Sequence, residues 1–430
     1  MPITEITSLR GRRIWDSRGR PTVEAEVTLS GGAMGRGIAP AGASRGSAEA
    51  VDLRDGGEAL GGFGVSRALA GLNGSIADAL TGMDAGDQKE IDSCLLELDP
   101  SPTKETLGGN ALISASLAVL HAAAAAEALP LWQYVADGKP VTLPLPEIQI
   151  FGGGAHADQR VDIQDFMVMP LSANTFAEAL EMTAEVYLAA GRLMSEAGKR
   201  AGVADEGGWW PDFDTNEAAL EMLVRSIEAA GLTPGSDMGI SLDVAASEFH
   251  DCGTYCLGLE DKEYDTAGLI ELLGGWMERY PIVSVEDPLA EDDHGGMKAF
   301  TEAFGERVQI IGDDYLATNA GRVTEAAARG ICNAALIKLN QAGTVSETRA
   351  AVEAAKAAGW GTIVSARSGE TEDTTIAHLA VGWNAGQLKV GSFARSERMA
   401  KWNEVLRIEE ALGDQAVFAY TLSSPPWGGG

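Results

Sequence analysis

Ile282-Val283-Ser284-Val285-Glu286, Val308-Gln309-Ile310-Ile311-Gly312-Asp313, Ala334-Ala335-Leu336-Ile337-Lys338 and Thr362-Ile363-Val364-Ser365-Ala366-Arg367-Ser368 are four short apolar runs, each ending in polar or charged groups. A fifth, Ile240-Ser241-Leu242-Asp243, precedes them. Runs of this length bounded by polar residues read as buried strands, and Ala-rich stretches of helical composition separate them. From Asp243 through Glu286, Asp313 and Lys338 to Ser365 the steps are 43, 27, 25 and 27 residues, and the last three suit one strand, one helix and two loops. That cadence predicts a β/α barrel, in which chemistry gathers at the C-terminal ends of the strands, where these charges fall.

Upstream the pattern differs. Val23, Ala25, Val27 and Leu29 alternate with Glu24, Glu26 and Thr28 as in a strand with one buried face, and Ala/Leu-rich segments at about 65–80 and 110–129 read as helices. Pro140, Pro144 and Pro146 mark a change of regime. The fold expected is α/β: an N-terminal α+β domain over residues 1–138 and a C-terminal β/α barrel carrying the active site over 139–430.

The 430 residues carry 32 Lys+Arg against 63 Asp+Glu, a formal charge of -31, and no basic cluster. This argues against nucleic acid or an anionic membrane as partner, since each phosphate contact needs a local cation. Anionic ligands must then be held by a few placed cations or metals. With 45% apolar and 22% charged residues the chain is an ordinary globular one, not a disordered one. Cys94, Cys252, Cys256 and Cys332 form no CxxC pair; Cys252 and Cys256 lack a second ligand pair for zinc, and reduced thiols of a cytoplasmic protein are expected. The arginine-rich start, Arg10 to Arg18, has no apolar core of a signal peptide, and the apolar stretch 111–131 is broken by Ser114, Ser116, His121 and Glu127, as in a packed helix.

Asp243, Glu286 and Asp313 end three of the runs. Three ionised carboxylates held together need a cation, and oxygen-only ligands favour Mg2+ over Zn2+. For one such residue alone, a helix cap or solvated loop would be the plainer account. Lys338 follows on the next strand and is either a base with a lowered pKa or a lysine paired with those carboxylates; spacing does not separate the two. Gly152-Gly153-Gly154-Ala155-His156 and Asp205-Glu206-Gly207-Gly208 are loops that let backbone approach a ligand, and Arg367-Ser368-Gly369-Glu370 suits a phosphoryl group.

Together with Asp16-Ser17-Arg18-Gly19, Pro21-Thr22-Val23-Glu24, Gly42-Ala43-Ser44, Asp243-Val244-Ala245-Ala246-Ser247-Glu248, Val285-Glu286-Asp287-Pro288, Gly312-Asp313-Asp314, Lys338-Leu339-Asn340-Gln341 and Ser368-Gly369-Glu370-Thr371-Glu372-Asp373, these segments resemble the enolase family in colinear order from residue 3 to about 413. The resemblance implies a barrel whose first two strands are not regular β/α units, and a homodimer or higher homo-oligomer. It implies two Mg2+ per site, one held tightly by Asp243, Glu286 and Asp313 and a second helped by Ser44. It makes Lys338 the base that takes the proton alpha to the substrate carboxylate, and Glu206 the acid at the beta hydroxyl. His156, Arg367 and Ser368 would serve the phosphoryl group of a small anionic substrate and Lys389 its carboxylate. The reaction class is elimination of water.

The chain departs from the family pattern around the ligand. Asp165 stands for the glutamate of the family's Gln-Glu-Phe-Met motif, Ala366 for a histidine and Arg45 for a threonine; Trp209-Trp210 and Val390-Gly391-Ser392 also differ. Lost bulk at Ala366 and added charge at Arg45 suit a substrate larger and more anionic at phosphorus. The resemblance then narrows to the carboxyphosphonoenolpyruvate synthases of phosphinate antibiotic pathways, with an ordinary enolase acting on 2-phosphoglycerate as the alternative and a non-catalytic enolase-fold binding protein as the alternative of another class.

Overall fold

The computed structural model describes residues 3–418. Residues 1–2 and 419–430, the outer ends of the two expected domains, lie outside the described residues.

Strands β1 (Ile6–Trp15), β2 (Pro21–Leu29) and β3 (Met34–Ile38) form an antiparallel sheet. The alternation in β2 does what it predicts: Val23, Ala25, Val27 and Leu29 are buried in a core shared with the helix Gly109–Ala126. That helix lies almost on the backbone of β3, where a Cβ at Gly35 or Gly37 would come within 2.2 to 2.4 Å of main-chain atoms of the helix. It is long and apolar enough to cross a membrane, yet it is buried inside the fold.

The last helix of this part is Leu131–Ala136, and β4 (Leu145–Gly152), β5 (Asp165–Pro170) and β6 (Met238–Asp243) follow. A meander of β7 (His250–Asp251), β8 (Thr254–Leu257) and β9 (Lys262–Tyr264) comes next and accounts for the long first step of 43 residues. The chain continues through β10 (Ile282–Glu286), β11 (Gln309–Gly312), β12 (Ala334–Ile337), β13 (Gly361–Ser365) and β14 (Gly386–Ser392). Eight of these strands close into a barrel in the order β10-β11-β12-β13-β14-β4-β5-β6. β5 runs antiparallel to both neighbours, whereas the other pairs are parallel, so the first two strands depart from the β/α repeat. All five apolar runs are barrel strands; β4 and β14 carry no comparable run, and the run in β5, Phe166-Met167-Val168-Met169, follows its charged residue, Asp165, instead of ending in one.

Helix starts are chemically marked. The side chains of Thr175, Thr215, Asp265, Asp293, Asn319 and Thr344 each accept a hydrogen bond from a first-turn backbone N–H, satisfying donors that the helix leaves unpaired. Cys252 and Cys256 are exposed free thiols and, among the described residues, join no cluster of metal ligands.

Candidate active site

Strand geometry gathers the predicted residues at one mouth. Asp243 ends β6 directly beside Glu286 at the end of β10. Asp313 and Lys338 immediately follow β11 and β12, and Lys389 of β14 lies opposite Ser365 of β13 and Glu147 of β4. Because β5 runs backwards, its first residue, Asp165, lies at the level where its neighbours end, opposite Asp243. His156 comes from the short turn after β4. Glu206 comes from the loop between the helices Phe176–Glu196 and Asn216–Ala229, where Gly207 takes φ +94° and a Cβ would meet Ala394 O at 2.4 Å. Ser44, His156, Asp165, Glu206, Asp243, Lys338, Ala366, Arg367, Ser368 and Lys389, with Gln164 and Ser365, line one cavity of about 20 Å³.

Glu286 and Asp313 stand behind that lining, each against a lysine. Lys389 Nζ lies 2.7 Å from Glu286 Oε2 and 3.0 Å from Asp243 Oδ2, and Lys338 Nζ contacts Asp313 Oδ2. Gln164 Nε2 donates to Asp243 Oδ2 at 3.0 Å and Gln341 Nε2 to Asp313 Oδ1 at 2.8 Å. Burial and the charge of Asp243 push the Glu286 carboxyl well above its usual range, and its Oε1 is buried without a hydrogen-bond partner. An all-oxygen donor set with an orphaned carboxylate oxygen fits a hard divalent cation. Asp313 also belongs to a buried cluster with Asp287 and Asp314, whose ligand oxygens lie within 4.8 Å of one another. Burial and the charge of Asp313 push Asp287 up to about 8.

Burial alone would lower the Lys338 pKa, but Asp313 and Glu286 outweigh it and the ammonium is held above its ordinary value. In this arrangement Lys338 is the paired lysine of the second sequence reading.

The opposite side of the cavity is closely cross-linked. His156 Nδ1 lies 2.9 Å from Asp165 Oδ1, its Nε2 lies 3.0 Å from Ser368 Oγ and 3.7 Å from Glu206 Oε1. Burial pulls the imidazole pKa down, but the charges of Asp165 and Glu206 prevail and hold it up at about 9, so it is a cation at neutral pH. Arg367 Nη1 donates to Glu49 Oε2 at 3.0 Å and to Asn340 Oδ1 at 2.9 Å, and its Nη2 donates to Ser44 O at 3.0 Å. Arg398, fully buried, donates to the carbonyls of Arg367, Ser368 and Val390. Ala366 is part of the lining, but Arg45 is not: it is exposed, and among the described residues its side chain makes no hydrogen bond or ion pair.

Sequence reasoning missed Glu49, Gln149, Gln164, Gln341 and Arg398. Glu49, Gln149 and Arg398 stand in no motif that announces chemistry. Gln164 and Gln341 stand inside the Gln-Glu-Phe-Met and Lys338-Leu339-Asn340-Gln341 motifs, and that membership was the signal that could have found them.

Two family models match the chain: Enolase, N-terminal domain, over residues 6–135, and Enolase, C-terminal TIM barrel domain, over residues 140–424. Among curated proteins, Enolase 1 of Desulfitobacterium hafniense (strain Y51) is 51% identical over 415 residues, covering 96% of this chain and 95% of that protein. With both domains matched in order and a relative this similar along its length, the chain belongs to the enolase family of hydro-lyases.

Proposed function

We propose that the protein removes water from 2-phosphoglycerate to give phosphoenolpyruvate. The enolase family acts on small phosphorylated substrates with Mg2+, and the name of the 51% identical relative supports the ordinary reaction over a specialised one. The observation that carries the reading is the single cavity in which Lys338, Glu206, His156, Arg367, Ser368 and Lys389 meet. Lys338 takes the alpha proton. Glu206 and the His156 imidazolium beside it form the acid side, where a proton reaches the departing hydroxyl. Lys389 binds the substrate carboxylate, while Arg367 and Ser368 bind the phosphoryl oxygens. Asp243, Glu286 and Asp313 would hold one Mg2+ and Ser44 would help hold a second; when bound, the ions supply the positive charge that offsets the negative charge developing on the substrate carboxylate. With Asp313 and Glu286 turned to a cation, their charges would no longer hold Lys338 in its ammonium form, and Lys338 would be freer to take a proton. The same reading carries a cytoplasmic location and a homodimer or larger homo-oligomer.

A second reading is favoured by one observation. Ala366 lines the cavity between Ser365 and Arg367, where the family histidine would place a large ring. The space suits a carboxyl group on phosphorus, the substrate feature of a carboxyphosphonoenolpyruvate synthase.

Turnover of 2-phosphoglycerate and of its carboxyphosphonyl counterpart, measured side by side with Mg2+, separates the two. Under the first reading 2-phosphoglycerate has the higher kcat/KM and Ala366→His leaves the ratio within a few-fold. Preference for the carboxyphosphonyl substrate, reversed tenfold or more by Ala366→His, would establish the second. No turnover of either would overturn both.

A further inference from the structure

Gln149 is fully buried on β4, and its side-chain amide joins two segments of the acid side. Its Nε2 donates to Asp165 Oδ1, and its Oε1 accepts from Gly208 N at 2.8 Å. Asp165 Oδ1 is also the atom that meets His156 Nδ1, and Gly208 lies two residues past Glu206. The other carboxylate oxygen of Asp165 is buried without a hydrogen-bond partner and faces Lys389 Nζ at 3.8 Å, so the hydrogen bonds to that side chain all fall on Oδ1.

The backbone is shaped around this amide. A Cβ at Gly208 would lie 2.4 Å from Gln149 Oε1, and one at Gly152 would lie 3.1 Å from both amide atoms. Glycine at 208 leaves the glutamine its place, whereas at 152 the nearer clash would be with Ala204 Cβ at 2.7 Å. Asp165, one methylene shorter than the family glutamate, needs a partner that reaches out to it, and Gln149 has that reach.

We propose that Gln149 is a positioning residue for the acid side: its long amide arm meets the short arm of Asp165 and locks Asp165, His156 and the Glu206 loop into one unit. The inference rests on the assignment of Glu206 and His156 to the departing hydroxyl.

The test is a two-residue swap, Gln149→Asn with Asp165→Glu, which shortens one arm and lengthens the other. Each variant is assayed for kcat, KM, solvent exchange of the alpha proton and thermal melting in the Mg2+-loaded enzyme. Each single variant is expected to lose about tenfold or more in elimination, as a hydrogen bond to a charged group warrants. KM and alpha-proton exchange should stay within about threefold of wild type, and the double variant should recover most of the loss. If the single losses simply multiply in the double variant, or if exchange and elimination fall together, Gln149 is not a positioning residue. A Glu206→Gln control keeps the two ideas apart. If it eliminates water normally, the role given to Glu206 fails, while recovery in the double variant would still establish the coupling of Gln149 to Asp165.

Discussion

The N-terminal sheet and the barrel lumen are equally dry but chemically unlike. In the first, Val23, Ala25, Val27 and Leu29 pack on Leu72, Ile76, Leu112 and Val119, and the core holds by apolar burial. In the second, Glu147, Gln149, Ser241, Ser284, Gln309 and Gln387 are just as buried, on strands whose apolar residues, Ile148, Ile150, Leu388 and Val390, belong to the surrounding core. Several of these polar groups are incompletely paired: Glu147 Oε2, Gln309 Nε2 and both amide atoms of Gln387 have no hydrogen-bond partner. Burying such groups is costly. The contrast teaches that one core was built for stability and the other spends stability to hold a charged mouth in place.

The largest expected effect lies at the barrel mouth. Asp243→Ala, Glu286→Ala and Asp313→Ala should each cost roughly a thousandfold or more in kcat/KM, with Mg2+ affinity lost in calorimetry and the melt little changed. Leu72→Ala should do the reverse, costing about 2 to 5 kcal/mol of stability in denaturant unfolding while kcat stays near wild type. If a carboxylate variant unfolded, or Leu72→Ala abolished turnover in the folded protein, the division between the two regions would break.

A smaller effect comes from pH. The His156 pKa is raised from its ordinary value to about 9, so its contribution to stability is complete below about 6.5, declines as pH rises and is lost above about 9. Melting of wild type and His156→Gln from pH 6 to 10 should therefore converge at the alkaline end. Parallel curves would mean that the imidazolium is not held by Asp165 and Glu206.

The smallest effect belongs to Glu147. Burial raises its pKa, so the folded protein favours the neutral form and loses that stabilisation as pH rises past the ordinary carboxyl range. Glu147→Met combined with Ser241→Ala should stay within about 1.5 kcal/mol of wild type and compare more favourably at pH 8 than at pH 5, because replacing both partners of a buried hydrogen bond by apolar groups is nearly neutral. A loss as large as that of Leu72→Ala would show that the polar lumen stabilises the barrel after all.

This contrast also explains what the sequence disclosed. β10, β11, β12 and β13 stood out because they carry short, mostly apolar stretches, interrupted only by Ser284 in β10 and Gln309 in β11, that lead into a polar or charged group. β4 and β14 were missed because Glu147, Gln149, Gln387 and Lys389 interrupt their apolar residues every second position, which reads as a half-exposed strand although both faces are buried. At the site, the residues that would touch substrate or metal sit in long motifs and were legible. Gln149, Glu49 and Arg398 were not, because they act by reaching across the fold to a carboxylate, a guanidinium or a carbonyl, and no local pattern encodes a contact between β4 and a loop some sixty residues away. The position of Arg45 outside the lining was hidden for the same reason: adjacency to Ser44 in sequence does not determine which way the loop turns.

The central claim is that Lys338 and Glu206 divide the dehydration between them, and the rate at which the substrate alpha proton exchanges with deuterated solvent tests it most directly. In the Mg2+-loaded protein, Lys338→Ala should abolish both exchange and elimination, whereas Glu206→Gln should exchange at close to the wild-type rate while eliminating water at least tenfold more slowly. Native exchange in Lys338→Ala would contradict the account, because another group would then have to be the base.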